Sequence, residues 1–133
     1  MTRSDHAERL PPLTVALLAT PDSTASTLFG LYDLLSGARR DWQHLINQTS
    51  VDAPLLPRIV SRDGQPLRVY NDVLVHAHAS LDSMVSADVV IVSDLAISPW
   101  APLDDRYDRE AQWMRERYEA GATLASACSG ALL

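Results

Sequence analysis

Residues 121–133, Gly-Ala-Thr-Leu-Ala-Ser-Ala-Cys-Ser-Gly-Ala-Leu-Leu, decide the fold. They read as a strand, an elbow and the start of a helix. Gly121 can end a preceding helix, residues 123–127 form a short β-compatible run, and Cys128 follows at once. Its neighbours are small enough for a sharp strand-to-helix reversal. That reading puts the chain's one cysteine at a helix N-terminus, where unpaired backbone N–H groups and the helix dipole favour the anionic form of a thiol. A lone cysteine among alanines is equally well a small buried hydrophobe, and the local pattern leaves both readings open.

Working backward from the elbow, residues 105–120 read as a helix with Tyr107, Ala111, Met114 and Tyr118 on one stripe and the charges elsewhere. Trp113 and Met114 read as packing residues of that helix. Residues 87–93 (Ala-Asp-Val-Val-Ile-Val-Ser) and 13–19 (Leu-Thr-Val-Ala-Leu-Leu-Ala) are apolar runs without alternation, as in strands buried on both faces of a parallel sheet. After the first of these strands, residues 20–23 form a loop that caps a helix over 24–38, with Leu28, Phe29, Leu31, Tyr32 and Leu35 at helical spacing. Between helix and second strand the pattern is less regular. Residues 42–47 suit a short strand or helix, and residues 58–61 a strand. Residues 62–65 (Arg-Asp-Gly-Gln) suit a hairpin turn, 66–77 an extended run, and 80–84 a short helix or turn. This alternation predicts an α/β fold with a parallel sheet and helices on both faces.

Composition narrows the function. The chain has 133 residues, 47% of them hydrophobic, enough for one core. Its 17 acidic and 11 basic residues give a formal charge of −6, so this segment carries no electrostatic footprint for nucleic acid or an anionic membrane. Residues 1–12 are a polar arm closed by Pro11 and Pro12, unlike a signal peptide, and the apolar runs are too short to span a bilayer. The compartment expected is the cytoplasm. One cysteine rules out an internal disulfide framework and a cysteine-cluster metal site. His76 and His78 would share a face if they lay on a strand, but no third ligand is evident, so no metal is assigned. No cofactor motif is legible. Asp22 and Asp94 follow the two buried strands and belong at the carboxyl edge of the sheet, where open α/β folds bind ligands; Asp22 is equally well a helix cap.

With Ala-Ser-Ala-Cys-Ser-Gly-Ala-Leu-Leu placed after a helix ending Tyr-Glu-Ala-Gly-Ala, the chain resembles the DJ-1/PfpI group of the class I glutamine amidotransferase-like superfamily. The nearest likeness is to the sensor domain at the N-terminus of AraC-type transcription regulators. The resemblance covers most of residues 13–133 and implies a flavodoxin-like domain with Cys128 as the nucleophile-elbow cysteine. It also implies that these residues stop short: the pattern would continue past Leu133 with further strands and, in the regulators, a helix-turn-helix domain that alone contacts DNA.

Three departures from the enzymes of that group bear on activity. Residues 25–30 (Ala-Ser-Thr-Leu-Phe-Gly) offer hydroxyls such as Ser26, where the enzymes bring a carboxylate toward the thiol. Asp94-Leu95-Ala96-Ile97 stands where they carry a glycine-rich loop whose N–H groups would stabilise an oxyanion. Cys128 is followed by Ser129, where protease-like members have histidine. The expectation is a ligand-sensing regulator domain that takes a small-molecule effector near Cys128, Ser129, Asp22, Asp94 and Ser26. The alternative is a cysteine-dependent hydrolase, hydratase or glyoxalase-like enzyme. Because the elbow strand of such a sheet is flanked on both sides, residues 1–133 alone are expected to self-associate across its open edge.

Overall fold

A computed structural model describes residues 11–45 and 55–133. Along the chain its elements are β1 (Leu13–Leu18), α1 (Ala25–Leu45), β2 (Leu55–Ser61), β3 (Leu67–Arg68), β4 (Leu74–Val75), β5 (Ala79–Ser80), β6 (Val89–Val92), α2 (Asp108–Glu119) and β7 (Thr123–Ser126). Two 3-10 turns, Tyr70–Asp72 and Cys128–Leu132, complete it. The polar arm lies outside the described residues except for Pro11 and Pro12, as does the end of the uncertain 42–47 stretch, whose first part belongs to α1.

The two apolar runs become neighbours at the centre of a five-stranded sheet ordered β5-β2-β1-β6-β7, in which every pairing is parallel. From β1 the chain moves to β2 on one side and then to β6 on the other. This reversal opens a crevice at the carboxyl ends of β1 and β6. Alternate side chains of the central strands feed two cores. Val15, Leu17, Ile59 and Val75 pack with Leu28 of α1 on one face, and Ala16, Leu18, Val60, Val90 and Val92 pack with Trp113 and Met114 of α2 on the other. The fold is α/β and flavodoxin-like, with helices on both faces.

Several local expectations need correction. Arg62–Gln65 does turn, with Gln65 N–H donating to Asp63 Oδ1, but the antiparallel pair is β3 with β4, and it reverses at residues 70–72. There Asn71 and Asp72 adopt left-handed φ of 60° and 61°, which short polar side chains tolerate. The extended run 66–77 is therefore a small hairpin. Ser80 belongs to edge strand β5, paired with Ser61 of β2, and Ser83 caps the turn that follows through the Ser80 hydroxyl. Strand β2 begins at Leu55, and Pro57 is accommodated because β5 pairs only with Val60 and Ser61, leaving β2 an edge strand there.

In α2 the buried face holds Glu110, Trp113 and Met114, while Tyr118 is 63% exposed, so a charged residue takes the place given to Tyr118. Trp113 and Met114 are packing residues, as read. Tyr107 precedes the helix rather than lying on it. Gly121, at φ 102°, ends the α2 segment in a conformation that favours glycine. No helix among the described residues is long and apolar enough to cross a membrane.

Candidate functional site

The loop after β1 and the loop after β6 meet over the crevice and are tied to each other. Ser23 and Leu95 form an antiparallel bridge, Thr24 N–H donates to the Asp94 carbonyl (3.2 Å), and Ala96 N–H donates to the Asp22 carbonyl (2.7 Å). Thr24 is the residue before α1, its carbonyl accepting the Leu28 N–H at 3.1 Å, and its hydroxyl donates to Asp94 Oδ1. The first turn of α1 has no acidic residue of its own, so Asp94 brings a carboxylate to the positive end of that helix from the neighbouring loop.

Cys128 follows β7 and begins a 3-10 turn of five residues rather than an α-helix. Its φ is 50°, the left-handed region that a residue with a β-carbon enters at a cost of roughly 1–2 kcal/mol. Three hydrogen bonds anchor the chain on either side of it. Ala127 N–H donates to the Val92 carbonyl (2.9 Å), and the Ser129 hydroxyl accepts from Leu95 N–H (2.9 Å) while donating to the Leu95 carbonyl (2.7 Å). The next residue, Gly130, is buried against the end of β6: a β-carbon there would lie 2.5 Å from the carbonyl oxygens of both Val92 and Ser93. Between those anchors the chain reverses at Cys128, and this residue is exposed. Among the described residues nothing buries Cys128 as a small hydrophobe would be buried.

The five residues singled out from the sequence have different fates. Asp94 and Cys128 each stand one residue along the chain from the Leu95–Ser129 pair of hydrogen bonds. Ser129 has both capacities of its hydroxyl engaged in that clasp. Asp22 faces another way: its Oδ2 accepts from Arg106 Nη1 (2.9 Å) and from the Tyr107 hydroxyl. Burial first, and then the hydrogen bond to Asp22, pushes the Tyr107 phenol above its ordinary value of 10.0, so it stays a donor. Ser26 is exposed on the first turn of α1. Two groups that a glycine-rich loop would offer to an oxyanion, the N–H groups of Leu95 and Ala96, are both occupied from within the protein.

His76 and His78 do not share a strand face. His76 is exposed beyond β4, and His78 exchanges backbone and ring hydrogen bonds with Ile59: its N–H donates to the Ile59 carbonyl (2.7 Å) and its Nδ1 accepts the Ile59 N–H (3.0 Å). Its ring stacks on Tyr32 with centroids 5.3 Å apart. Sequence reasoning missed Glu110, 2% exposed and gripped by Arg62 through Nε (2.8 Å) and Nη2 (2.6 Å). The one legible signal was its position four residues before Met114 on α2, which puts a carboxylate on the buried face.

Among solved structures, the chain is similar to a candidate transcriptional regulator from Vibrio parahaemolyticus (TM-score 0.67, 18% identity, 90% of this chain and 58% of that one). It is also similar to a ThiJ/PfpI family protein from Pseudomonas syringae (TM-score 0.65, 16% identity, 96% and 47%) and an AraC family transcriptional regulator from Pseudomonas putida (TM-score 0.63, 17% identity, 90% and 58%). The chain shares their fold. It spans about half the length of these structures. The sequence matches no family model and no curated protein. The resemblance carried by the Cys-Ser-Gly-Ala run thus extends to the three-dimensional fold.

Proposed function

We propose that this chain is the ligand-sensing, amidotransferase-like part of an AraC-type transcription regulator and that it does not turn over its ligand. The observation that carries this reading is the occupation of the loop after β6. The Leu95 N–H is held by Ser129 and the Ala96 N–H by the Asp22 carbonyl, so neither is free to stabilise an oxyanion beside Cys128. The side chain of Asp22 is turned to Arg106 and Tyr107, and Asp94 is hydrogen-bonded to Thr24. A thiol whose neighbouring carboxylate is tied to a hydroxyl, and whose facing loop has its N–H groups engaged, is better suited to recognition than to reaction. The effector would sit over the crevice between Cys128, Asp94 and the exposed Ser26, where it can bias the clasp between the two loops. The acidic balance of the chain agrees with DNA contact being made by another domain.

One observation favours a second reading, a cysteine-dependent enzyme of the DJ-1/PfpI type. Cys128 is exposed and left-handed just past a strand end, as the nucleophile of an elbow is. Turnover assays with amides, an isonitrile and a dicarbonyl separate the two. The sensor reading expects binding without turnover; turnover that disappears in Cys128→Ala would overturn it in favour of the enzyme.

A further inference from the structure

Away from Cys128, a cleft of about 460 Å³ opens at the carboxyl ends of β1 and β2, within the range of roughly 300–1,000 Å³ usual for small-molecule sites. Ala19, Pro21 and Leu67 give it apolar lining, and Arg62, Arg106 and Tyr107 line it together with three carboxylates, Asp22, Asp63 and Glu110. Neither Cys128, Ser129 nor Asp94 lines it.

The chemistry of the cleft is set by which charged groups are already satisfied. Glu110 is buried behind Arg62 and takes two of its N–H groups, and Asp22 Oδ2 takes donors from both Arg106 and Tyr107. Arg62 Nη2 also donates to the Arg106 carbonyl (2.7 Å), which seats the two arginines side by side. These bonds use Arg62 Nε and Nη2 and Arg106 Nη1, leaving Arg62 Nη1 and the Nε–Nη2 edge of Arg106 outside them, while the Arg106 guanidinium also interacts with the Tyr107 side chain. Both guanidinium side chains are about half exposed, at 54% and 55%. Glu110 and Asp22 hold the two arginines in place, and of the two only Arg106 keeps a two-nitrogen edge, Nε with Nη2, outside those bonds. A guanidinium fork matches a carboxylate in two parallel N–H···O bonds, which a cation or a neutral amide cannot reproduce.

We infer that this cleft is a binding site for a small organic carboxylate, its carboxylate held by the Nε–Nη2 edge of Arg106 and by Nη1 of Arg62, and its short carbon chain lying on Ala19, Pro21 and Leu67. The inference is independent of the regulator reading, since it uses neither Cys128 nor the loop clasp beside it.

The test is an NMR titration of the chain with succinate and butyrate, with succinamide and butylamine as neutral and cationic counterparts. Either carboxylate should shift the Arg62 and Arg106 Nε–H signals and the backbone amides of Gly64 and Tyr107. The counterparts should not, and the amides of residues 128–130 should stay still. In Arg106→Gln the affinity should fall by about tenfold or more, and in Arg106→Lys, which keeps the charge facing Asp22 but lacks the fork, by several-fold. Arg106→Lys carries the test if the glutamine variant does not fold. Binding of succinamide or butylamine as tight as that of the acids, unchanged affinity in the folded arginine variants, or no shift with either carboxylate at tens of millimolar would overturn the assignment.

Discussion

Two glycine-to-alanine substitutions in this chain should move stability in opposite directions, and the stronger one tests how the turn at Cys128 is built. At Gly130 a β-carbon would meet the Val92 and Ser93 carbonyl oxygens at 2.5 Å and the Ser93 carbonyl carbon at 3.1 Å. Ordinary contact begins near 3.4 Å, so the turn must retreat by roughly 1 Å from the end of a central strand that cannot yield. A retreat of that size breaks or strains the Ala127-to-Val92 hydrogen bond and the two Ser129–Leu95 bonds. At about 1 kcal/mol net for each bond, the loss is about 3 kcal/mol, which is also the upper end of the usual overpacking cost. At Gly30, inside α1, a β-carbon meets nothing within 4 Å, and alanine should add about 0.5–1 kcal/mol through helix propensity. Urea unfolding followed by tryptophan fluorescence, with Trp113 buried in the α2 core, measures both at unchanged m-value. A Gly130→Ala variant within about 0.5 kcal/mol of the parent would refute the close seating of the turn on β6 and the argument for Cys128 that rests on it.

Graded peroxide should oxidise Cys128 before Met84 or Met114, because the thiol is exposed and the two methionines are 9% and 8% exposed; peptide mapping that finds either methionine modified first would contradict this. Replacing Arg62 with leucine strands the buried Glu110 carboxylate, and since Arg62 is itself half exposed the cost should be about 2 kcal/mol, below the 3–5 typical of fully buried pairs, as read from denaturation midpoints. Burial first, and then the charge of Arg58, lowers the pKa of His78 from 6.5. The folded form therefore holds fewer protons there than the unfolded chain. Stability from this group is present above about pH 6.5 and declines on acidification, so melting temperature should fall less between about pH 7 and 5 in His78→Asn than in the parent. All four residues of β7 are exposed, with Leu124 and Leu132 each 42% exposed, and we expect the 133-residue chain to self-associate through that edge. Sedimentation as a single sharp monomer, unaltered by Leu124→Lys, would refute it.

The parts legible in the sequence were those whose burial is uniform along a segment. β1 and β6 are apolar on both faces because helices cover both sides of the sheet, so a run without alternation sufficed to find them, and the small residues around Cys128 marked a turn that larger side chains would block. Sequence periodicity located both helices for the same reason, since one stripe of each must be apolar. Tertiary structure alone decided what depends on contacts between distant positions. Two-residue strands β3, β4 and β5 are too short for any period to show and exist only because their partners are in place. Glu110 could be buried on α2 only because Arg62, 48 residues earlier, reaches it with a matching fork. The roles of Asp22 and Asp94 diverged for a like cause. Both end buried strands, as the sequence indicated, but one side chain is drawn to Arg106 and Tyr107 and the other to Thr24. That choice belongs to hydrogen bonds spanning 70 to 85 residues, which no local pattern encodes.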